Sequence, residues 1–134
     1  MPIRVTILGT PVPKGRPRFS SRGGFRTYTP KKTKDYEKLI QEQLKNVIPS
    51  TIEQNMHLHV EAVFPRPKSM RSKKFSTGLI HKHTRPDIDN VVKAVMDALN
   101  LFIKDDSLIV SLSAQKFYAE LDGQPRTTIT ISVL

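Results

Sequence analysis

The chain has 134 residues, no cysteine, 37% hydrophobic residues and a formal net charge of +10. This length predicts one domain with a true hydrophobic core, and the missing cysteines exclude disulfides, zinc–thiolate sites and thiol nucleophiles. No apolar run approaches the roughly 18 residues of a membrane span, and residues 1–4 do not begin a signal peptide. We therefore expect a cytoplasmic protein with no membrane partner.

The first part of the chain combines one clear strand with an irregular segment. Residues 3–8 alternate apolar and polar side chains, which predicts a half-buried strand. Three prolines and Gly15 within residues 9–18 exclude regular structure there. The glycine-containing turn at 21–24 predicts a hairpin whose short arms are residues 18–20 and 25–28.

A helix of about four turns is predicted next. Thr29 suits the N-cap position, Pro30 suits the first helical position, and Pro49 stops the helix. Apolar residues then recur at spacings of four, four and three, which places them on one helix face. They are Tyr36, Ile40, Leu44 and Val47.

A second strand and a long loop follow. Residues 56–64 alternate again, and His57 and His59 fall on the polar side, where we expect them to be exposed. Residues 65–84 are basic and polar and predict a long loop. A loop of this length in a small domain is usually functional or disordered.

The last part of the chain predicts a helix at 88–102 and strands at 108–119 and 127–134. The resulting order is β-α-β-α-β-β, an α+β domain with a mixed sheet packed by two helices. The two β-α-β units predict parallel strand pairs, and the final hairpin predicts an antiparallel one. The apolar final strand either completes the core or offers an edge to a partner subunit.

Two carboxylates, Asp87 and Asp89, mark the start of the second helix. A helix N-terminus favours one aspartate as a cap, and negative charge there contributes roughly 0.3–1 kcal/mol. Two aspartates with Asn90 beside them exceed that need, and carboxylate oxygens are ligands that Mg²⁺ prefers. The spacing favours a divalent metal site, with a simple helix cap as the alternative.

More charged residues follow at helical spacing. Lys93 lies one turn after Asp89, where it either forms a surface ion pair worth about 0.2–0.5 kcal/mol or stabilises a charged transition state. Asp97 comes one turn later, and we expect it to pair with Lys93. The doublet Asp105-Asp106 follows the helix as either a polar turn or a further metal ligand.

Basic residues are concentrated in two segments, which is typical of a surface that binds nucleic-acid phosphates. The alternative is an ordinary solvated surface. His83, like His81, precedes the first aspartate and could contact phosphate or transfer a proton. The basic candidates are Lys14, Arg16, Arg18, Arg22 and Arg26 in the first segment, and Arg66, Lys68, Arg71, Lys73 and Lys74 in the second.

Five motifs of the chain follow a known family pattern. They are Pro11-Val12-Pro13-Lys14-Gly15-Arg16-Pro17-Arg18, Arg85-Pro86-Asp87-Ile88-Asp89-Asn90, Lys93-Ala94, Asp97-Ala98-Leu99 and Asp105-Asp106. In these motifs the chain resembles the RusA family of Holliday junction resolvases, and the resemblance covers essentially residues 1–134 as a single nuclease domain. The basic loop 65–84 departs from the family pattern.

The resemblance implies a homodimeric, magnesium-dependent endonuclease that cuts four-way DNA junctions with paired nicks, in DNA recombination and repair. It implies that Asp87, Asp89 and Asp106 are the metal carboxylates and that Lys93 is the active-site lysine, with Asp105 as the alternative to its neighbour. Mn²⁺ could substitute for Mg²⁺, and no organic cofactor is expected. Two other functions remain open: a non-catalytic nucleic-acid-binding module, and a flap or single-strand nuclease.

Overall fold

The computed structural model describes residues 2–14, 18–20, 26–28 and 31–134, with only the backbone at 18–20 and 26–28. The predicted hairpin turn at 21–24 and the predicted helix cap at Thr29-Pro30 lie outside these residues. The two hairpin arms pair antiparallel as β2 (Arg18–Ser20) and β3 (Arg26–Tyr28).

A five-stranded mixed sheet forms the centre of the fold. The neighbours β4 and β6 run parallel, and the other neighbouring pairs run antiparallel. Together with the two helices, this sheet confirms the predicted α+β class. In spatial order the strands are β1 (Ile3–Leu8), β7 (Arg126–Val133), β4 (Met56–Phe64), β6 (Ile109–Tyr118) and β5 (Ile80–His81).

Both helices, α1 (Lys31–Lys45) and α2 (Ile88–Leu99), bury their apolar stripes in one core with the sheet. Each fully buried aliphatic side chain contributes about 1.5–3 kcal/mol relative to an exposed one, so this packing fixes the position of α2. The central buried residues are Tyr36, Ile40 and Leu44 of α1, Val91, Val95 and Leu99 of α2, and Leu58, Val60, Ile129 and Ile131 of the sheet.

The strand order differs from the predicted one at β7. The predicted final hairpin is wrong, because β7 lies between β1 and β4 and does not pair with β6. The edge of β6 that faces β7 is paired with β4. After β6, the chain crosses the end of β4, where Ala119 N donates to Phe64 O at 2.8 Å, and continues to β7 on the far side of β4. For the same reason, β1 and β4 share a direction but are not neighbours. As an internal strand, β7 has no free edge to offer.

The ends of both helices also differ from prediction. α1 ends at Lys45, and the turn that follows leaves Val47 41% exposed and buries Ile48 in its place. α2 ends at Leu99, and Phe102 N donates to Leu99 O at 2.8 Å as the chain turns away.

The long loop and the polar sheet face are more structured than the sequence predicts. Residues 65–84 contain a short 3-10 turn and the strand β5. His57 and His59 are half-buried rather than exposed, and their rings are hydrogen bonded to the hydroxyls of Ser111 and Ser113 on β6. Within the described ranges, no helix has the length and apolar character needed to cross a membrane.

Candidate functional site

Asp87 occupies the N-cap position of α2, but its carboxylate does not cap the helix. Its backbone is extended, with φ −67° and ψ 146°, and its carbonyl accepts hydrogen bonds from Asn90 N at 3.1 Å and Val91 N at 3.3 Å. No capping hydrogen bond to the side chain forms within the described structure. The main chain therefore starts the helix, and the exposed carboxylate remains available to another ligand.

Asp89 lies between two cavities that flank α2. A cavity of about 630 Å³ between α2 and β6 is lined by Asp89, Lys93 and Asp106 together with apolar side chains. A second cavity, of about 600 Å³, is lined by Asp87, Asp89 and Lys116. The fold therefore brings the three aspartates and the lysine of the sequence motif around one side of α2, with Asp89 common to both cavities.

The two aspartates of the doublet have different surroundings. Asp105 caps the 3-10 turn Asp106–Leu108, because its Oδ1 accepts a hydrogen bond from Ser107 N at 2.9 Å. The hydrogen bonds from the Ser107 amide and hydroxyl lower the pKa of Asp105. Asp106 is the member of the pair that lines the cavity with Asp89.

The carboxylates fit a hard divalent cation whose coordination shell is completed by other ligands. Across the part of the chain that the structure describes, no group of three or more His, Asp or Glu side chains could hold a metal ion by itself. Asp87, Asp89 and Asp106 are nevertheless exposed oxygen donors. Mg²⁺ is commonly held by one or two carboxylates while waters and substrate phosphates supply the remaining ligands. The residues present fit that mode of binding.

The predicted ion pair between Lys93 and Asp97 is wrong. Asp97 Oδ2 instead lies 2.9 Å from Lys14 Nζ. Among the described residues Lys93 has no ion-pair partner, and its side chain is exposed on the wall of the larger cavity. A free cation therefore stands beside Asp89 and Asp106.

Lys14 holds the segment before the hairpin against both helices. Its Nζ donates to Glu37 Oε1 at 2.9 Å as well as pairing with Asp97, and its backbone N donates to Asn90 O at 2.9 Å. Burial acts to lower the pKa of Lys14, but the two carboxylates outweigh it and hold the pKa above its ordinary value. The predicted phosphate contact at Lys14 does not fit this geometry, because its charge is already neutralised.

Asn90 connects the site to the segment before the hairpin. Its carbonyl accepts the hydrogen bond from Lys14, and the residue also lines a polar cavity of about 620 Å³ with Arg85 and Asp87. His83 is exposed on the wall of the cavity that contains Asp87 and Asp89.

Lys116 also belongs to the site, although it lies outside the sequence motif. Its Nζ donates to Thr84 O at 2.8 Å and to Pro86 O at 2.7 Å, which fixes the chain immediately before Asp87. It also lines the cavity that contains Asp87 and Asp89. The alternation of side chains in β6 indicates this position, because Lys116 follows Ala114 at a spacing of two and therefore lies on the sheet face towards the helix.

A second cationic group adjoins Lys116. Lys82 Nζ lies 4.8 Å from the centre of the Tyr118 ring and 5.2 Å from that of Phe64, within the range of a cation–π interaction. The Tyr118 hydroxyl lies 3.0 Å from Thr84 Oγ1. This hydrogen bond, together with the charges of the two lysines, lowers the pKa of Tyr118.

Arg66 organises the basic loop from within, which contradicts its predicted role as a phosphate contact. The residue is only 7% exposed. Its guanidinium donates to four backbone carbonyls, so its donors are engaged by the protein itself. The acceptors are Ala119 O at 2.8 Å, Met70 O at 3.2 Å, Ser76 O at 2.7 Å and Gly78 O at 2.5 Å.

The remaining basic candidates fall into two groups. Lys68, Arg71, Lys73 and Lys74 are exposed on the loop that Arg66 organises, and Arg71 Nη1 also donates to Leu121 O at 3.3 Å. Arg16 and Arg22 lie outside the described residues. The side chains of Arg18 and Arg26, on β2 and β3, also lie outside what is described.

The fold and this site define a small α+β protein whose exposed carboxylates at one helix start stand among several cationic side chains. The family model for Endodeoxyribonuclease RusA matches residues 9–132, so the chain belongs to the RusA endodeoxyribonuclease family. The chain is also 38% identical over 137 residues to the uncharacterized protein YqaN of Bacillus subtilis (strain 168), covering 96% of this chain and 94% of that protein. Family membership implies an endodeoxyribonuclease of the junction-resolving kind, which acts on branched DNA.

Proposed function

We propose that this protein is a magnesium-dependent crossover junction endodeoxyribonuclease that resolves four-way DNA junctions by paired nicks as a homodimer, in recombination and repair. Residues 1–134 act as its single nuclease domain. The observation that carries the proposal is the unused carboxylate at the start of α2. The side chain of a helix-capping aspartate accepts a hydrogen bond from a backbone N–H of the first turn. The side chain of Asp87 accepts no such bond within the described structure.

Asp87, Asp89 and Asp106 would hold Mg²⁺, with Mn²⁺ as a substitute, and DNA phosphate oxygens would complete the ligand set. A bound ion in such a site activates water and neutralises the leaving oxygen of a phosphodiester. Asp89 has the central place because it borders both cavities. The hydrogen bond from Ser107 N to Asp105 Oδ1 supports Asp106, rather than Asp105, as the ligand.

Lys93 stabilises the charge that develops on the scissile phosphate. Its side chain is exposed beside Asp89 and Asp106 and has no ion-pair partner in the described residues. A charge that acts on the transition state raises kcat, whereas one that acts equally on bound substrate changes affinity alone. Lys93→Ala should therefore lower the single-turnover rate more than it weakens DNA binding.

The exposed loop cations supply sequence-independent affinity for the DNA backbone. Lys68, Arg71, Lys73 and Lys74 are accessible to phosphates, and Arg16, Arg18, Arg22 and Arg26 lie in the other basic segment. Phosphate contacts of this kind position a duplex without reading its bases. Arg66 and Lys14 belong to the scaffold instead, because their donors are bound by the protein.

A substrate panel tests the proposal. A labelled four-way junction, a flap, a linear duplex and a single strand are each incubated with Mg²⁺, with Mn²⁺ and with chelator. We expect paired, symmetric nicks in the junction that require the metal. Preferential cutting of the flap or single strand would favour the other nuclease function, and metal-independent junction binding without cleavage would favour a binding module.

A further inference from the structure

The basic loop between β4 and α2 places one aromatic residue in a hydrogen-bonded turn. Phe75 N donates to Ser72 O at 3.1 Å, which closes the turn. The next residues are held by Arg66, whose guanidinium donates to Ser76 O and Gly78 O. Hydrogen bonds on both sides of a residue restrict its backbone, so the ring of Phe75 has a defined position on the loop.

The ring of Phe75 is partly open to solvent. It is 38% exposed and lines a small cavity of about 200 Å³ together with the side chains of Ser72 and Ser76. A phenylalanine side chain contributes about 1.5–3 kcal/mol when it is fully buried rather than exposed. A ring that a hydrogen-bonded loop holds at the surface therefore leaves apolar area available to a ligand.

The walls of this cavity are cationic. Among the described residues that line it, the ionic side chains are Arg66, Arg71 and Lys73, and none is a carboxylate. Arg71 is exposed and donates one hydrogen bond, from Nη1 to Leu121 O at 3.3 Å. Most of the five N–H donors of its guanidinium are therefore accessible, and an anionic ligand fits the cavity better than a neutral one.

A partly exposed aromatic ring among cations fits an unpaired nucleotide. Proteins that bind single strands stack successive bases on aromatic side chains while cations follow the phosphates. In a linear duplex, each base is covered by its neighbours in the stack, so such a site would recognise only the phosphates. Unpaired bases at a branch point or in a single strand offer the face that a phenyl ring can contact.

The loop is connected to the carboxylate site through β6 and the residue that follows it. Arg66 Nε donates to Ala119 O at 2.8 Å, and Lys116 Nζ donates to Pro86 O at 2.7 Å, immediately before Asp87. Extended chain from Lys116 to Ala119 covers about 10 Å. That length corresponds to about three nucleotides at roughly 3.4 Å per step. A base on the loop and a phosphate at the carboxylates can therefore belong to one strand.

We propose that Phe75 stacks on an unpaired base of branched DNA while Arg71 and Lys73 bind the adjoining phosphates. The inference rests on the proposed function and deepens it, because it assigns the recognition of branch points to this loop. The exposed cations give affinity for any DNA, and the ring adds affinity only where a base is unpaired. The loop is therefore an element that determines substrate specificity.

Tryptophan fluorescence tests the stacking directly, because the natural chain has no tryptophan. Phe75→Trp is titrated with DNA in chelator, so that no strand is cut, and the anisotropy of labelled DNA verifies saturation. An oligothymidylate and a four-way junction with unpaired thymidines at its branch point should quench the indole, whereas a linear duplex should bind without quenching. Leu101→Trp is the control, at a 69% exposed position beyond the other end of α2, and should respond to none of them.

Affinities of three further variants separate stacking from packing. Phe75→Ala should raise the dissociation constant for the single strand about 5- to 150-fold, the effect of losing one stacked base. Its dissociation constant for the duplex should be unchanged. Phe75→Tyr keeps a flat ring and should bind as the wild type does, whereas Phe75→Leu keeps apolar volume and should bind as Phe75→Ala does.

Three results would overturn the stacking. Wild-type affinity in Phe75→Leu would show that the ring only packs the loop. Equal losses for single strand and duplex in Phe75→Ala would show that the substitution disturbs the phosphate contacts instead. Phe75→Trp that binds the single strand without quenching would place the base elsewhere.

Failure of this inference and failure of the proposed function are distinguishable, because the binding measurements require no cleavage. If single strands quench Phe75→Trp but the wild type does not cut junctions, the stacking stands and the nuclease proposal fails. If the wild type makes paired, metal-dependent nicks but Phe75→Trp is not quenched, the nuclease proposal stands and the stacking fails.

Discussion

Neighbouring residues of the same type have different roles in this molecule, and the contacts of each side chain distinguish them. Asp105 binds the backbone of a 3-10 turn, while Asp106 borders the cavity beside Asp89. Lys14 is bound by two carboxylates, while Lys93 is exposed. Charge alone does not reveal which residues face the substrate.

Asp106→Asn should abolish junction cleavage and Asp105→Asn should preserve it, because only Asp106 borders the carboxylate cavity. Cleavage is compared at equal DNA occupancy and saturating Mg²⁺.

The pKa of Asp105 lies below its ordinary value. At pH values above that ordinary pKa, the ionised Asp105 cap therefore stabilises the fold. This stabilisation is lost as the pH falls through the lowered pKa. Thermal unfolding from neutral to acid pH should show this loss in the wild type and not in Asp105→Asn.

Lys14→Met should lower the free energy of unfolding by about 1–3 kcal/mol, since it leaves two partly buried carboxylates facing each other without their cation. The matched control is Lys45→Met, at the exposed end of α1. Chemical denaturation measures the difference. If Lys14→Met instead leaves stability unchanged and flattens the salt dependence of DNA binding, Lys14 is a phosphate contact after all.

At the scale of elements, the loop between β4 and α2 acts as a platform for cations. Arg66 binds carbonyls at both ends of residues 70–78 and so closes this segment on itself. Lys116 and Lys82 fix the last part of the loop before Asp87. A long loop can therefore present charges in a defined arrangement although it contains little regular structure.

Arg66→Met should unfold this platform, because it leaves four backbone carbonyls without their donor. We expect a loss of stability on the order of 3 kcal/mol and faster amide hydrogen exchange across residues 67–78. Arg71→Met, which removes one exposed hydrogen bond, is the control. Equal effects of the two variants would show that Arg66 does not organise the loop.

Replacing Lys73 and Lys74 together by alanine should weaken binding to all duplex-containing substrates. The slope of log K against log salt should fall by roughly one unit for each DNA phosphate that the variant no longer neutralises. The same outcome is predicted for Arg16 with Arg18 in the first basic segment. Lys45→Ala is the control, and an unchanged slope in a double variant would show that its segment does not bind DNA.

Periodicity in the sequence predicts the elements well because burial repeats locally. The alternation at 56–64 and the apolar stripe of α2 both correspond to the observed core. Strand neighbours are not encoded in that way, so the position of β7 inside the sheet was not predictable from its alternation. Lys14 and Arg66 likewise bind partners that are distant in the chain, and a local cluster of basic residues does not reveal those contacts.

At the scale of the whole molecule, a cluster of negative charges lies within a strongly basic protein. A chain of net charge +10 places the exposed carboxylates of Asp87, Asp89 and Asp106 at α2 and in the turn before β6. Metal binding would reverse the local repulsion between those carboxylates and DNA phosphates. The proposed homodimer would carry two such sites, which is what the paired cutting of a symmetric junction requires.

The most direct test of this account is the magnesium dependence of single-turnover junction cleavage by Asp89→Asn. The wild type and Asp35→Asn, an exposed aspartate on α1, serve as references. We predict that Asp89→Asn binds the junction at least as tightly as the wild type, because it repels phosphates less, yet does not cleave it at any Mg²⁺ concentration that saturates the two references. Cleavage by Asp89→Asn at a rate near that of Asp35→Asn, at limiting Mg²⁺, would contradict the central role of this carboxylate site.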